Sequence, residues 1–345
     1  MTTIRFLKAV LLIAALFVWP EPEKRCAMPN FSSLTGAMSE PSTIRHVPAS
    51  EADKPDLSFA VISDIHIQAW HKPSHRKLLA ALNDLHTINP HADALVVNGD
   101  LTNGQPEDYA KLTELMTATP HPWRPFYTIG NHEFYKAWFG SSGKFDKDGF
   151  PHGESEGDSI SRFLKLTGEK FVYYEKTVNG YPFLFLGSEQ YRQSDASNGE
   201  DAFLSQRQLD WLWSSLRKHA ADKRIFVFLH QPLPHTVSGT DECCANTRAV
   251  VQHEQLERAL ADYAQAVLFS GHTHRELKLP KTFVQGKFAM IGSSSVADPL
   301  SATDQALEQG ASEGLYVEAY GKRVVVRGRD FKNGGWIREA SFELD

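Results

Sequence analysis

Short apolar runs alternate with longer amphipathic stretches along most of the chain. Phe59–Ile62, Ala94–Val97 and Ala266–Phe269 are continuous apolar segments of strand length, and such segments predict buried strands. The same criterion predicts strands at Phe126–Ile129, Gly180–Leu186, Arg224–Leu229, Phe288–Ile291, Leu315–Ala319, Arg323–Arg329 and Ala340–Leu344.

The stretches between these runs have apolar residues at helical spacing. In Ser74–Ile88, leucines 78, 79, 82 and 85 lie on one face of a helix. Similar spacing predicts helices at Glu107–Ala118, Ser205–His219 and Gln252–Ala264. Alternating strands and helices followed by a strand-rich C-terminal third predict an α/β fold with two sheets packed face to face and helices outside.

Five of the predicted strands are followed by residues that can bind metal ions. These are Asp64 and His66, Asp100, Asn131 with His132, His230, and the pair His272 and His274. Ligand pockets in open α/β sheets lie outside the carboxyl ends of the strands, so the five strand ends predict one site assembled from the whole chain. Imidazole is a ligand for Zn, Fe, Ni and Cu, which makes this a predicted transition-metal site.

Composition favours a globular protein and excludes some partners. The chain has 345 residues, 41% hydrophobic and 23% charged, which allows one large domain or two. The formal net charge of -6 argues against stable nucleic-acid binding, which requires a basic footprint.

The N-terminus has the pattern of a targeting segment. Arg5 and Lys8 precede the apolar run Ala9–Trp19, which is shorter than a comfortable membrane span. Residues 1–20 are therefore predicted to direct export to a secreted, periplasmic or cell-surface location. The alternatives are an uncleaved membrane anchor through residues 9–19 and a disordered tail, which is disfavoured because exposed apolar runs promote association. Residues 21–54 lack periodicity and are predicted to be a linker, followed by one domain over residues 55–345.

Three cysteines are too few for a disulfide scaffold. Cys243 and Cys244 are adjacent and are consistent with a vicinal disulfide, with free thiols or with structural loop residues. A thiolate zinc site is disfavoured because no second cysteine pair accompanies them.

In their order, the five blocks resemble the calcineurin-like metallophosphoesterase superfamily, over about residues 57–275. The stretch Asn89–Leu101 is similar to bacterial phosphodiesterases of the cyclic-nucleotide and glycerophosphodiester type. The resemblance implies a four-layer αββα sandwich and two transition-metal ions, which are Mn, Fe or Zn. It implies that Asp64, His66 and His274 bind the first metal, that Asn131, His230 and His272 bind the second, that Asp100 bridges them, and that His132 faces the substrate without binding metal.

One position departs from the protein-phosphatase branch of this family. That branch has a carboxylate three residues after the bridging Asp, where this chain has Asn103. An amide holds an imidazole tautomer but stabilises an imidazolium less than a carboxylate does. The expected role of His132 is therefore charge stabilisation rather than proton donation, and a protein phosphatase is disfavoured.

Two polar segments, residues 134–158 and 188–201, are predicted to form the substrate walls. His235 and Arg192 are the predicted substrate contacts, whereas Trp138, Phe139 and Tyr191 either stack on a base or pack locally. Arg275 is the single basic residue in or beside the five blocks, and a phosphodiester monoanion needs fewer cations than a monoester dianion. The predicted substrate is a small or polymeric phosphodiester. The alternatives are a phosphomonoesterase or nucleotidase, and a non-catalytic extracellular metal-binding module.

Overall fold

The computed structural model describes residues 54–122, 125–219, 223–241 and 249–344. Its strands are β1 (Leu57–Ile62), β2 (Ala94–Asn98), β3 (Pro125–Thr128), β4 (Tyr174–Val178), β5 (Tyr181–Phe185), β6 (Ile225–Phe228), β7 (Ala266–Ser270), β8 (Phe283–Gln285), β9 (Ala289–Gly292), β10 (Glu313–Tyr320), β11 (Arg323–Asp330) and β12 (Gly335–Phe342). Its α-helices are α1 (Lys72–Ile88), α2 (Pro106–Ala118), α3 (Glu156–Thr167), α4 (Gln206–Leu216) and α5 (His253–Ala261).

The strands form two mixed sheets. The first has the order β12-β11-β10-β1-β2-β3, and the second has the order β4-β5-β6-β7-β9-β8. Strands β1, β2 and β3 are parallel in the first sheet, and β5, β6, β7 and β9 are parallel in the second. The predicted metal-binding blocks therefore follow parallel strands in both sheets.

The main core lies between the two sheets. Along β1, Phe59 and Val61 point into this core, whereas Ala60 and Ile62 point to the opposite face, as the two-residue period of a strand requires. The ring of Phe59 lies 4.9 Å from the rings of both Phe183 and Phe226 in the second sheet. Burying a side chain of this size contributes about 1.5–3 kcal/mol, so the aromatic layer holds the two sheets together.

Helices cover both outer faces. Side chains from α1, α2 and α3 pack on the first sheet, and side chains from α4 and α5 pack on the second. The order helix, sheet, sheet, helix is the predicted four-layer αββα sandwich, and the fold-class prediction is confirmed.

A single buried amide joins the sheets at the strand ends that precede the metal-binding blocks. Asn98, the last residue of β2, donates its Nδ2 hydrogens to the carbonyls of Leu229 (3.4 Å) and Phe269 (3.2 Å) in the second sheet. Its Oδ1 accepts a hydrogen bond from Thr128 Oγ1 at 2.9 Å, which connects β3 as well. The carboxyl ends of β2, β3, β6 and β7 are thereby held in register.

The sequence pattern predicts neither helix α3 nor strands β4 and β8: residues 134–158 are interpreted as a polar wall, and no predicted element covers the segments of β4 and β8. Ser155 and Asp158 form a reciprocal capping box at the start of α3, and Gly168 closes its end with a positive φ. Strand β12 begins at Gly335, five residues before the predicted Ala340, and its Trp336 lies 4.8 Å from the Arg329 guanidinium on β11. The remaining predicted helices and strands are present, with ends that differ by a few residues.

In the described part of the chain, no helix is both long and apolar enough to span a membrane. The predicted targeting segment 1–20, the linker up to residue 53, and Cys243 with Cys244 lie outside the described residues. Membrane attachment through residues 9–19 finds no support in the described structure and stays a prediction.

Candidate metal centre

The residues predicted to bind metal converge where the parallel strands of both sheets end. Each follows its strand within a few residues and is buried or nearly so: Asp64 and His66 after β1, Asp100 after β2, Asn131 after β3, His230 after β6, and His272 and His274 after β7. The structure therefore brings together side chains from five strands and both sheets.

These side chains form two groups that share one carboxylate. The ligand atoms of Asp64, His66, Asp100 and His274 all lie within 4.8 Å of one another, and so do those of Asp100, His230 and His272. In the first group, His274 Nε2 lies 2.9 Å from Asp64 Oδ1 and 3.2 Å from His66 Nε2. In the second group, His230 Nε2 lies 3.2 Å from Asp100 Oδ2. Asp100 stands between the two groups, as a bridging ligand would.

Each of the two carboxylates has one oxygen bound by neighbouring donors and one oxygen that faces the cluster. Asp64 Oδ2 accepts hydrogen bonds from Ser63 Oγ (2.5 Å) and from the His272 backbone N–H (3.1 Å). Asp100 Oδ1 accepts one from the His132 backbone N–H at 2.9 Å. The other oxygens, Oδ1 of Asp64 and Oδ2 of Asp100, face the imidazoles. The backbone contacts fix which oxygen of each carboxylate is available to a cation.

Both carboxyl groups are held in the ionised form. Burial alone would raise the pKa of Asp64, but the adjacent His274 and His230 lower it to about 2. Burial also opposes ionisation of Asp100, and His230 and His132 nevertheless hold its pKa well below the ordinary value. Two buried negative charges in one cluster attract cations strongly, because there is little solvent to screen them.

Backbone carbonyls orient the outer imidazoles for coordination. The Nδ1 atoms of His230 and His274 lie 2.8 Å from the Asn98 carbonyl and 2.9 Å from the Asp298 carbonyl, respectively. A carbonyl can only accept, so each Nδ1 carries a hydrogen and Nε2 is the nitrogen that faces the cluster, where a bound cation would take the place of any proton on it. This carbonyl-bound tautomer is the arrangement found in histidine ligands of metal ions.

Asn131 contributes a neutral oxygen. Its Oδ1 is buried and has no hydrogen-bond partner among the described residues, whereas its Nδ2 donates to Glu200 Oε2 at 2.8 Å. A buried amide oxygen without a partner is costly unless a cation binds it. Carboxylate, imidazole and amide oxygen together form a mixed N/O donor set that fits Mn, Fe or Zn.

The backbone is strained at most of these positions. Asp64, His66, Asp100, His272 and His274 all have positive φ, between 43° and 67°, in the region that non-glycine residues avoid. Each such residue costs on the order of 1 kcal/mol, and strain of this kind concentrates at functional sites. Gly99 allows the close approach of the strands, because a Cβ there would lie 2.3 Å from the His230 ring.

His132 lies beside the two groups and is held on two sides. Its Nδ1 lies 2.9 Å from Asn103 Oδ1, and its ring stacks on Tyr135 with centroids 3.8 Å apart. Its Nε2 lies 3.8 Å from Asp100 Oδ2. Burial lowers the pKa of His132 to about 3, so the ring is neutral at neutral pH. Asn103 thus occupies the orienting position that the sequence assigned to it.

Glu133 ties two ligand-bearing loops together. Its carboxylate accepts hydrogen bonds from the backbone N–H groups of Leu101 (2.9 Å), Thr102 (3.0 Å) and Gly130 (2.8 Å). These three residues flank Asp100 and Asn131, so Glu133 fixes the separation of the two ligands without facing the cluster.

The predicted substrate contacts are placed differently from the metal-binding residues. The side chain of His235 is 71% exposed and lies 3.9 Å from Asp241, and Arg192 lies over the Trp138 ring. Both contacts stay predictions. Tyr191 is 1% exposed and donates to Glu200, and Trp138 packs against Phe150 with centroids 4.2 Å apart, so these two aromatics pack locally. Phe139 also packs locally, edge-on to Phe145.

Sequence reasoning missed three residues that shape the site, namely Glu200, Tyr135 and Asn98. Tyr135 is one helical turn from His132, a spacing that signals ring contact. Asn98 is a polar residue at the end of an otherwise apolar strand, which signals a buried hydrogen bond. Glu200 lies in a polar segment among Ser, Asn and Gly, and no spacing relates it to Asn131.

The family model described as calcineurin-like phosphoesterase matches residues 57–276. A curated relative named "Probable cyclic nucleotide phosphodiesterase", from Rhodococcus erythropolis, is 24% identical over 240 residues, which are 66% of this chain and 68% of the relative. A second, named "Probable glycerophosphodiester phosphodiesterase", from Arcobacter nitrofigilis, is 25% identical over 229 residues, 62% of this chain and 70% of the relative.

Solved structures show the same fold at low identity. A dimetal phosphatase from Danio rerio has a TM-score of 0.59 and 15% identity, and the match covers 85% of this chain and 100% of that one. A purple acid phosphatase from yellow lupin has a TM-score of 0.54 and 12% identity, with 85% of this chain and 55% of that one covered.

Proposed function

The chain belongs to the calcineurin-like phosphoesterase family, and from this premise we propose that it is a two-metal-dependent hydrolase that acts preferentially on phosphodiesters. The observation that carries the proposal is the pair of ligand groups sharing Asp100. Asp64, His66 and His274 would hold one ion, Asn131, His230 and His272 would hold the other, and Asp100 would bridge them.

The protein residues prepare this site for an anionic ester. Two bound cations supply charge neutralisation of the phosphoryl oxygens and activation of a water molecule. The shared carboxylate of Asp100 reduces the repulsion between two closely spaced cations. Asn131 contributes no charge, so the cluster remains more electropositive toward an ester than it would with a third carboxylate.

His132 holds its imidazole beside the ligand groups in a fixed orientation. Asn103 binds its Nδ1, and Tyr135 stacks on its ring, which leaves Nε2 directed toward the Asp100 side of the cluster. Preorganised groups of this kind stabilise charge that develops on a phosphoryl or leaving oxygen. Nδ1 carries the hydrogen that Asn103 Oδ1 accepts, so Nε2 needs a second proton to stabilise this charge, and a bound anionic ester would favour that proton. Asn103 supports the imidazolium less than a carboxylate would, so we assign His132 to charge stabilisation and not to complete proton transfer.

The preference for diesters rests on the cations near the site and on the relatives. Lys136 is paired with Glu154 at 2.6 Å, and the buried Arg275 is paired with Asp304 at 2.7 Å. Both cations are thus engaged within the protein, and neither compensates the second charge of a monoester dianion. Both curated relatives carry phosphodiesterase names, which favours the same substrate class.

Hydrolysis of bis(4-nitrophenyl) phosphate and of 4-nitrophenyl phosphate tests this proposal. We expect a higher kcat/KM for the diester at neutral to alkaline pH, loss of both activities after chelation, and recovery when Mn²⁺ or Zn²⁺ is added back. A clear preference for the monoester would favour a phosphatase or nucleotidase and leave the metal assignment intact. Full activity in metal-free protein would contradict the two-metal proposal itself.

We also propose that the enzyme acts outside the cytoplasm. Support comes from Arg5 and Lys8 followed by the apolar run Ala9–Trp19. Fractionation of expressing cells, with mass analysis of the mature N-terminus, tests this location. Recovery of the intact chain in the cytoplasmic fraction would contradict it.

A further inference from the structure

Glu200 lies beside the second ligand group without belonging to it. Its Oε2 accepts a hydrogen bond from Asn131 Nδ2 at 2.8 Å, and its backbone carbonyl accepts one from Gln231 Nε2 at 3.1 Å. Gln231 is buried and directly follows the ligand His230. The residue is therefore held at both its side chain and its main chain against the loops that carry two ligands.

The Glu200 carboxylate also accepts the last hydrogen bond of a chain in which the donor of each bond is fixed. The indole Nε1 of Trp138, which can only donate, donates to Tyr191 OH at 3.1 Å. The Tyr191 hydroxyl then directs its own hydrogen to Glu200, whose two oxygens lie 2.9 and 3.1 Å from it. Oε2 lies 2.8 Å from Asn131 Nδ2, which can only donate, so the tyrosine and the asparagine both donate to the same carboxylate.

This polarity decides the orientation of the Asn131 amide. Because Nδ2 must face Glu200, Oδ1 must face away from it, and Oδ1 is the buried atom without a partner among the described residues. An amide turned by 180° would present its N–H₂ group to a cation, which it cannot bind. The orientation of one amide thus determines whether the second group has an oxygen ligand.

We propose that Glu200 is a positioning residue for the second metal ion, acting by turning the Asn131 oxygen toward it. This inference rests on the proposed function, since it requires that the second ligand group binds a metal. Trp138 and Tyr191 set the direction of the hydrogen-bond chain from the segments predicted to form the substrate walls.

Metal titration of Glu200→Gln tests the inference without relying on activity. Tyr191 favours the glutamine oxygen, so the glutamine N–H₂ meets Asn131 Nδ2 and forces the asparagine to turn. With Zn²⁺ and a competing chromophoric chelator, we expect one of the two dissociation constants, that of the group with Asn131, to rise about 10- to 100-fold, as loss of such a supporting contact typically does. The other constant should change less than threefold.

A swapped pair separates orientation from general damage. In the double variant Asn131→Asp with Glu200→Gln, the carboxylate stands at 131 and the amide at 200, at the same total charge. A carboxylate presents an oxygen in either orientation, so we expect two-ion binding to return to within about threefold of the unmodified protein. Asp201→Asn is the matched control, because Asp201 is the adjacent acid and accepts from the Ala249 N–H rather than from a ligand.

The outcomes distinguish this inference from the proposed function. A folded Glu200→Gln protein with two unchanged constants, or a swapped pair that stays as weak as the single variant, would overturn the role of Glu200. If Glu200→Gln does not fold, Glu200→Ala removes the acceptor for Asn131 Nδ2 instead, and two unchanged constants in that variant would overturn it equally. Unmodified protein that binds no second ion would contradict the two-metal proposal itself.

Discussion

Among single residues, Asp100 is expected to matter most for metal binding and activity, because its carboxylate belongs to both ligand groups. Replacement with Asn removes a negative charge between two cations and leaves a neutral side chain in its place. We expect Asp100→Asn to weaken both metal constants and to lower kcat/KM more than His66→Ala does, because His66 belongs to one group. Metal content and kinetics measured on both variants check this order. Equal losses, or a larger loss for His66→Ala, would argue against a bridging carboxylate.

His132 is expected to act on the reaction and not on metal binding. Replacement with Ala removes the group that Asn103 and Tyr135 orient, while every ligand of both groups remains. We expect His132→Ala to retain two ions and to lower kcat on the order of 100-fold. Metal analysis alongside steady-state kinetics with the chromogenic diester separates the two effects. Unchanged turnover would remove His132 from the mechanism.

Single residues also show where sequence reasoning succeeded and where it could not. Asp64 and Asp100 follow strongly apolar strands, so strand prediction alone placed them at a common sheet edge. Glu200 reaches Asn131 across 69 residues through a polar segment, and no periodicity encodes such a contact. The sequence does not decide the role of Tyr191, because an aromatic in a polar segment fits either a stacking surface or a core, and its burial settles the choice.

Among the elements, the loop after β2 and the short 3₁₀ helix His132–Trp138 after β3 are held together by Glu133. Its two oxygens accept three backbone N–H groups from the two elements. This one carboxylate therefore fixes the relative positions of Asp100, Asn131 and His132. Glu133 acts on activity indirectly, by placing these residues.

Replacement of Glu133 with Gln should expose this dependence. A glutamine places an N–H₂ group against at least one backbone N–H, and a buried donor left without an acceptor costs about 1–3 kcal/mol. We expect Glu133→Gln to lower the free energy of unfolding by about 2 kcal/mol and to reduce kcat, as followed by urea denaturation and kinetics. Glu114→Gln on the exposed side of α2 is the control, and we expect it to change stability far less, because solvent screens its pair with Lys111. A Glu133→Gln protein as stable as this control would contradict the anchoring role.

An element could be predicted from the sequence when its apolar residues recur regularly or form a continuous run. Helices α1, α2, α4 and α5 carry leucine-rich faces and were predicted, whereas α3 follows a Gly- and aromatic-rich segment that masked its beginning. Its Ser155 and Asp158 capping box and its closing Gly168 were the available signals. Strand β4 lies at the edge of its sheet with Tyr174 buried and its other four residues partly or fully exposed, so it lacks the continuous apolar run that marked the central strands.

At the scale of the whole molecule, the metal centre depends on the packing of the two sheets, because both sheets contribute ligands. The ligands follow β1, β2 and β3 of the first sheet and β6 and β7 of the second, and Asn98 joins the same strand ends by hydrogen bonds. Five ligand residues have strained backbones, and two carboxylates are buried close together. Cations bound here would join the strand ends of both sheets.

Metal binding should therefore stabilise the entire fold and not only the loops. An ion that binds the folded state alone contributes about 2.7 kcal/mol at a free concentration 100 times its dissociation constant, and two such ions contribute additively if they bind independently. We expect the unfolding free energy of chelator-treated protein, measured in urea, to rise with free Zn²⁺ or Mn²⁺ along this logarithmic dependence. In Asp100→Asn the rise should be much smaller, because both sites lose a shared ligand, whereas Asp201→Asn should follow the unmodified protein. An unfolding free energy that is independent of metal concentration would show that the strand ends do not bind ions as one centre across the two sheets.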